Sequence, residues 1–271
     1  MGEEVRPVEV GREEVLAGGG VNQVVRAGDT VRRPSGRWTP AVHALLRHLE
    51  TAGFAGAPRC RGLDAAGREV LGFVPGEVPG HPVPAYVRSD AALTAAAALL
   101  RAYHDATAGF AAPGDAAWYF PPRRPAQVVA HGDVAPYNTV FRDGLPVAFI
   151  DFDTAHPAPR VWDVAYAAYR FVPLEDPARG AGRPVVEQAR GLRLFADAYG
   201  LGAADRRALP GTVIERLEHL VGHMRARAGA GEEAFAAHLA RGDHLLYGAD
   251  ADHLARHRAT FERALLVPSG A

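Results

Sequence analysis

Residues 128–155, VVAHGDVAPYNTVFRDGLPVAFIDFDTA, set one histidine, one asparagine and four aspartates between apolar runs. Asp133 and Asn138 are five apart, and Asp151 follows Asn138 by thirteen. Asp143-Gly144 is a hairpin-turn dipeptide flanked by strand-like runs, so Asp143 is read as a turn former. Asp133 then falls on a loop after the apolar QVV run, Asn138 ends that loop, and Asp151 ends the second hairpin strand. The hairpin folds Asp151 back towards Asn138, and three oxygen-bearing side chains meet at one end. Phosphoryl transfer needs such a set. One carboxylate orients an attacking hydroxyl and takes its proton, while an amide and a second carboxylate hold magnesium against nucleotide phosphates. One Asp or Asn in isolation is more often a turn former. Three of them at this spacing on one hairpin are hard to explain as turns. Asp153 is read either as a metal or substrate contact or as an exposed loop carboxylate.

The elements that must position these groups differ between the two ends of the chain. Residues 18–33, GGGVNQVVRAGDTVRR, read as a glycine turn, a strand, a Gly-Asp turn and a second strand. A helix follows, with Thr39 as N-cap, Pro40 at its first position, Val42, Leu45, Leu46 and Leu49 on one face, and Gly53 as its stop. REVLGFVPGEVPG, residues 68–80, is a short strand running into a Pro/Gly connector. From Asp90 onward the pattern is Ala/Leu-rich and helical, over about 90–108, 161–171, 184–199, 205–228 and 231–263. The expectation is an α+β chain: a small antiparallel-sheet lobe over 1–76 and a larger, mainly helical lobe over 77–271.

HGDVAPYN, followed by IDFD and then VWDVAYAA, resembles the aminoglycoside phosphotransferase family, relatives of choline kinase and more distantly of protein kinases. The resemblance covers about residues 15–265, with its specificity concentrated in 131–163. It implies a two-lobed protein-kinase-like fold and a small-molecule O-kinase that uses Mg2+ and ATP or GTP. It places His131 and Gly132 beside a catalytic Asp133, makes Asn138 and Asp151 the magnesium ligands, and gives Asp163 of VWDVA the task of bracing the loop. The glycine turn, Gly18, Gly19 and Gly20, would cover the nucleotide phosphates. The backbone around Phe73 and Val74 of GFVPG would hydrogen-bond the purine. His131 reads equally as a packed core histidine, and Asp163 as structural.

The chain departs from that pattern where a phosphate-binding lysine and a helix-borne glutamate are expected. The strand reads DTVRRP, offering Arg32 or Arg33, and Arg32 is favoured because Arg33 adjoins Pro34. The helix offers Val42 or His43 where the acid belongs, and Glu50 lies two turns too late. Arginine retains charge and grips phosphate bidentately. All 30 basic residues are arginine, so this departure matches a chain-wide bias. The missing lysine–glutamate pair also motivates an alternative, a catalytically silent nucleotide- or metabolite-binding module.

Composition bounds the rest. Hydrophobic residues make up 48% and charged residues 23%, ordinary for a globular chain, and a net charge of −1 gives no field for nucleic acid or an anionic membrane. A single cysteine excludes an intrachain disulfide, and no apolar run reaches bilayer length, so a cytoplasmic protein is expected. Residues 172–271 carry 13 Asp/Glu and 13 Arg, with no acidic surplus for a polycationic acceptor. That leaves a small hydroxylated acceptor, whether aminoglycoside, nucleoside antibiotic, sugar or amino alcohol. Trp118, Tyr119, Trp162, Tyr166 and Tyr169 are available to cage a choline-like cation, or simply form core. Local acids, Glu232, Glu233 and Asp243 or Asp250 and Asp252, could line a pocket or face solvent.

Overall fold

A computed structural model describes residues 13–16, 24–179 and 182–266. Five strands form one antiparallel sheet: β1 (Glu14–Val15), β2 (Val25–Ala27), β3 (Thr30–Arg33), β4 (Cys60–Leu63) and β5 (Glu69–Gly72), in the order β1-β2-β3-β5-β4. Gly28 closes the β2–β3 turn at φ +62. Helix α1 (Thr39–Thr51) buries Val42, Leu45, Leu46 and Leu49. Thr39 is the first helical residue rather than the cap, and its hydroxyl accepts from the Gly36 N–H at 2.9 Å.

Helix α2 (Asp90–Thr107) begins at Ser89, whose hydroxyl accepts from the Ala92 N–H, with Asp90 adding negative charge to the first turn. Its buried face, Leu93, Ala96, Ala97, Leu100, Tyr103, His104 and Thr107, follows the helical repeat. Strand β6 (Val128–Ala130) pairs antiparallel with β9 (His156–Ala158), and the hairpin β7 (Thr139–Arg142)/β8 (Leu145–Phe149) lies between them in sequence. Asp143 and Gly144 both have positive φ, as the two-residue turn requires. Helices α3 (Arg160–Phe171), α4 (Val185–Tyr199) and α5 (Ala203–Gly229) follow.

The expected terminal helical stretch, 231–263, comprises three helices: α6 (Glu233–Ala240), α7 (Asp243–Arg256) and α8 (Arg258–Leu266). Gly242 at φ +83 breaks the first junction, a left-handed residue no helix continues through. The α+β arrangement of a small antiparallel sheet and a mainly helical remainder is the one expected. Apolar packing is continuous between them, running from α1 through α2 to α8. No helix among the described residues is long and apolar enough to cross a membrane.

Candidate active site

The loop after β6 is built around Asp163, which is fully buried on α3. Asp163 Oδ2 accepts from the His131 N–H at 2.7 Å and lies 3.0 Å from His104 Nε2, while Oδ1 accepts from the Gly132 N–H at 2.9 Å. His104 Nδ1 is 2.7 Å from the Tyr199 hydroxyl. Burial drives His104 towards its neutral form, so Nε2–H donates to Asp163 and Nδ1 accepts from Tyr199. Burial alone would raise the Asp163 carboxyl, but the hydrogen bonds from His104 and the backbone dominate and bring it down to about 2. Gly132 has φ +84, and a Cβ there would stand 2.5 Å from the Thr154 carbonyl, so only glycine suits the loop.

His131 lies behind the loop with both ring nitrogens engaged. Its Nε2–H donates to the Ile150 carbonyl at 3.0 Å, and its Nδ1 accepts from the Asp133 N–H at 3.3 Å. Burial lowers its pKa, and its ring packs on Phe152. His131 therefore joins the loop to the end of the hairpin and is placed to position Asp133, with no ring nitrogen left to move a proton.

Asp133 itself is half-buried. Oδ1 accepts from the Tyr137 hydroxyl at 2.7 Å and Oδ2 from Asn138 Nδ2 at 2.8 Å. Desolvation pushes its carboxyl up to about 6, with Tyr137 and the nearby Arg170 and Arg216 pulling the other way. Asn138 Nδ2 also donates to the Asp133 carbonyl at 3.0 Å, which uses both amide hydrogens and leaves Oδ1 as an acceptor. The Asn138 carbonyl receives the Ile150 N–H at 2.9 Å, bringing Asp151 alongside it. Asp151 is left-handed at φ 63 and half-exposed.

Asn138 and Asp151 line a cavity of about 230 Å³ between sheet and hairpin, walled by Val24, Val31, Leu71, Val140 and Ile150. Among the described residues no cluster of three His, Cys, Asp or Glu could hold a metal ion. Two hard oxygen donors facing a cavity suit magnesium, which accepts few side chains when phosphate oxygens and water complete its octahedron.

Arg33, and not Arg32, enters this cavity. Successive strand residues face opposite sides, so the choice is one of parity. Arg32 pairs outside with Glu13 at 3.0 Å. Arg33, buried, remains in the strand despite Pro34 and reaches three carboxylates: Glu69 and Asp153 at 2.5 Å each and Asp151 at 2.6 Å. Glu69 supplies the acid that α1 lacks, from the neighbouring strand, and His43 Nε2 lies 3.0 Å from its other oxygen. Burial would raise Glu69, but His43 and Arg33 bring it below the ordinary carboxylate range. Asp153, desolvated and only partly compensated by Arg33, is pushed up to about 6.

Of the nucleotide-side expectations, one bears on described residues. Gly18, Gly19 and Gly20 lie outside the described residues. The Phe73 N–H is unavailable to a purine because it donates to the Asp29 carbonyl at 2.7 Å, whereas the Val74 N–H at the cavity edge has no protein acceptor among the described residues. Several aromatic candidates are already occupied: Trp162 carries the Arg123 guanidinium 3.4 Å from its ring centroid, and the Tyr169 hydroxyl donates to Asp250. Two of the candidate acids are paired too, Glu232 with Arg227 and Asp243 with Arg241. Sequence reasoning missed Glu69, Tyr137, Arg170 and Arg216. Only Glu69 and Tyr137 left a signal, the first in register parity with Leu71 and the second inside the HGDVAPYN run.

The phosphotransferase enzyme family matches residues 115–200, which contain the whole loop, hairpin and Asp163. The trifolitoxin immunity protein of Rhizobium leguminosarum bv. trifolii is 39% identical over 203 residues, spanning 72% of this chain and 76% of that protein. A choline/ethanolamine kinase family protein from Mesorhizobium loti superposes with a TM-score of 0.57 at 18% identity, covering 94% of this chain and 92% of its own. The GDP complex of an aminoglycoside 2'-phosphotransferase-IIIa gives 0.57 at 15% identity, covering 94% and 95%. The two superpositions establish a shared fold.

Proposed function

The chain belongs to the phosphotransferase enzyme family, and from that premise we propose that it transfers the γ-phosphoryl group of ATP or GTP to a hydroxyl of a small acceptor. One observation carries this reading: Asn138, Asp151 and Arg33 converge on one cavity, with Asp133 hydrogen-bonded to Asn138 beside it. We take residues 1–76 as the lobe that roofs the nucleotide and 77–271 as the lobe that seats the acceptor. Asp133 orients the acceptor hydroxyl and takes its proton as the oxygen bonds to the γ-phosphorus. The bond to the β,γ-bridging oxygen breaks, and nucleoside diphosphate leaves. Asn138 Oδ1 and Asp151 would hold Mg2+, which supplies charge neutralisation on the phosphates. Arg33 stands where a lysine is usual, donates to phosphate oxygens, and is aimed by Glu69. Val74 N–H is the backbone donor for the purine. Asp163 and His131 fix the loop that carries Asp133. Most of the rate enhancement would come from positioning and fixed charge. A relative named for immunity to trifolitoxin supports a protective role against a toxic compound.

The test is incubation with Mg2+ and ATP or GTP against hydroxylated antibiotics, nucleosides, sugars, amino alcohols and hydroxy acids, with mass spectrometry for one added phosphoryl group. Product that disappears in Asp133→Asn, while nucleotide still raises the melting temperature, supports the assignment. A second reading, a silent binding module, rests on the pairing of Arg33 to three carboxylates, and predicts nucleotide-dependent stabilisation with no transfer to any acceptor.

A further inference from the structure

Two guanidinium groups lie around the loop and tyrosines that hold Asp133, and neither forms an ion pair with a carboxylate among the described residues. Arg170, in the last turn of α3, lies with its Cζ 5.2 Å from the Tyr137 ring centroid and 5.7 Å from that of Tyr169. Arg216, on α5, is 3% exposed, packs 4.6 Å from Tyr166 and 5.2 Å from Trp162, and donates from Nη2 to the Gly132 carbonyl at 2.5 Å. Arg216 Nε and Nη1 and Arg170 Nε are buried with no hydrogen-bond partner. The Tyr137 hydroxyl binds Asp133 and sits 3.1 Å from that of Tyr166, so arginines, tyrosines and carboxylate form one connected wall.

The chain-wide preference for arginine does not explain this. Other arginines on the same two helices do find carboxylates: Arg160 pairs with Asp105, Arg206 with Asp197 and Arg227 with Glu232. Burying a guanidinium without a counter-charge is costly unless something else supplies the negative group. Arg216 holds the carbonyl of Gly132, the residue before Asp133, and Arg170 packs on Tyr137, whose hydroxyl donates to Asp133 Oδ1. A polycation would be repelled from this wall, whereas an oxyanion would satisfy free donors bidentately.

We infer that Arg170 and Arg216 form an anion subsite beside Asp133, and that the acceptor carries a carboxylate- or phosphate-type oxyanion near the hydroxyl that is phosphorylated. This rests on the transfer reading for the word acceptor, but the subsite can be measured without transfer. Arg216 also props the loop through Gly132, so the variants are made at Arg170.

The probe is inorganic sulfate, titrated against chloride at constant ionic strength onto protein saturated with Mg2+ and either a nucleoside diphosphate or a non-hydrolysable triphosphate analogue. Sulfate stabilises most proteins weakly by exclusion, so the readout is the difference between wild type and variant. Wild type is expected to gain melting temperature saturably in both nucleotide states. Arg170→Gln should raise the apparent sulfate Kd about tenfold or more, and Arg170→Lys should recover part of it. Retained nucleotide stabilisation in each variant verifies the fold. Hydroxy acids should then be phosphorylated in preference to their carboxamides and to matched amines. An equal sulfate response in wild type and Arg170→Gln overturns the subsite. A response seen with diphosphate but abolished by the triphosphate analogue overturns the acceptor assignment, moving the arginines to the transferred group. Arg170-dependent sulfate binding with no transfer to any acceptor leaves the subsite standing and removes the kinase reading instead.

Discussion

Arg33 and Glu69 are directly opposed residues of adjacent antiparallel strands, and guanidinium meets carboxylate at 2.5 Å in a buried position. The cation over the cavity is thus aimed by strand register, whereas a helix-borne acid would depend on where the helix sits. Glu69→Gln should destabilise the protein by about 3 kcal/mol, because it leaves Arg33 under-compensated where solvent cannot reach. Chemical denaturation checks this, and a loss below about 1 kcal/mol would mean that Asp151 and Asp153 alone satisfy Arg33.

Asp163→Asn should unfasten the loop, since an amide cannot accept from the His131 and Gly132 N–H groups and His104 together. The folded carboxyl titrates at about 2 against an ordinary value of 3.8, so its contribution of about 2 kcal/mol is complete above the ordinary value and lost as pH falls through the folded one. Denaturant midpoints of wild type and Asp163→Asn should therefore differ at pH 7 and converge towards pH 2. A gap that widens in acid would contradict the assignment.

The pH profile of transfer should carry an acidic limb. Asp133 must be ionised to accept a proton, and burial has moved it up to about 6, so kcat/KM should fall as pH drops through about 6. Asp153, also pushed up by burial to about 6, is the competing source. The limb should persist in Asp153→Asn, and a profile flat to about pH 5 would remove Asp133 as the base.

Asp151→Asn should weaken nucleotide binding about tenfold in magnesium and leave metal-free binding within about twofold. Calorimetry with and without chelator separates the two. Equal weakening in both conditions would assign Asp151 to Arg33 rather than to a metal.

The parts of the site that were legible in the sequence are those held by local chain geometry. Asp133, Asn138 and Asp151 come together because a two-residue turn fixes hairpin register, and turn chemistry is written in adjacent residues. Sequence favours Arg32 and leaves Arg33 open because the choice depends on strand parity, and Pro34 suggests an earlier strand end than the β3–β5 pairing that puts Arg33 on the cavity side. Glu69 was passed over because it acts through cross-strand pairing, 36 residues from its partner. Arg170 and Arg216 were invisible for a related reason: only the packing of α3 against α5 carries them to one place, and in a chain where every basic residue is arginine neither stands out. The breaks in the terminal helical stretch cannot be placed from sequence because the pattern is helical on both sides of Gly242.

The connector after β5 is tied to the hairpin. Glu77 and Phe141 exchange backbone hydrogen bonds at 2.9 and 2.7 Å, Arg142 Nε donates to the Pro75 carbonyl at 2.8 Å, and a Cβ on Gly76 would stand 2.4 Å from Val140. The same hairpin holds the small sheet at two further points, where the Phe149 N–H donates to the Gly56 carbonyl at 2.9 Å and where Arg33 meets Asp151. Floor (Asn138, Val140, Ile150 and Asp151) and roof (Val24, Val31 and Leu71) are thus clasped around the cavity from three sides. A hairpin that clasps connector, loop and strand together makes the width of the cavity a property of the fold, set before anything enters it.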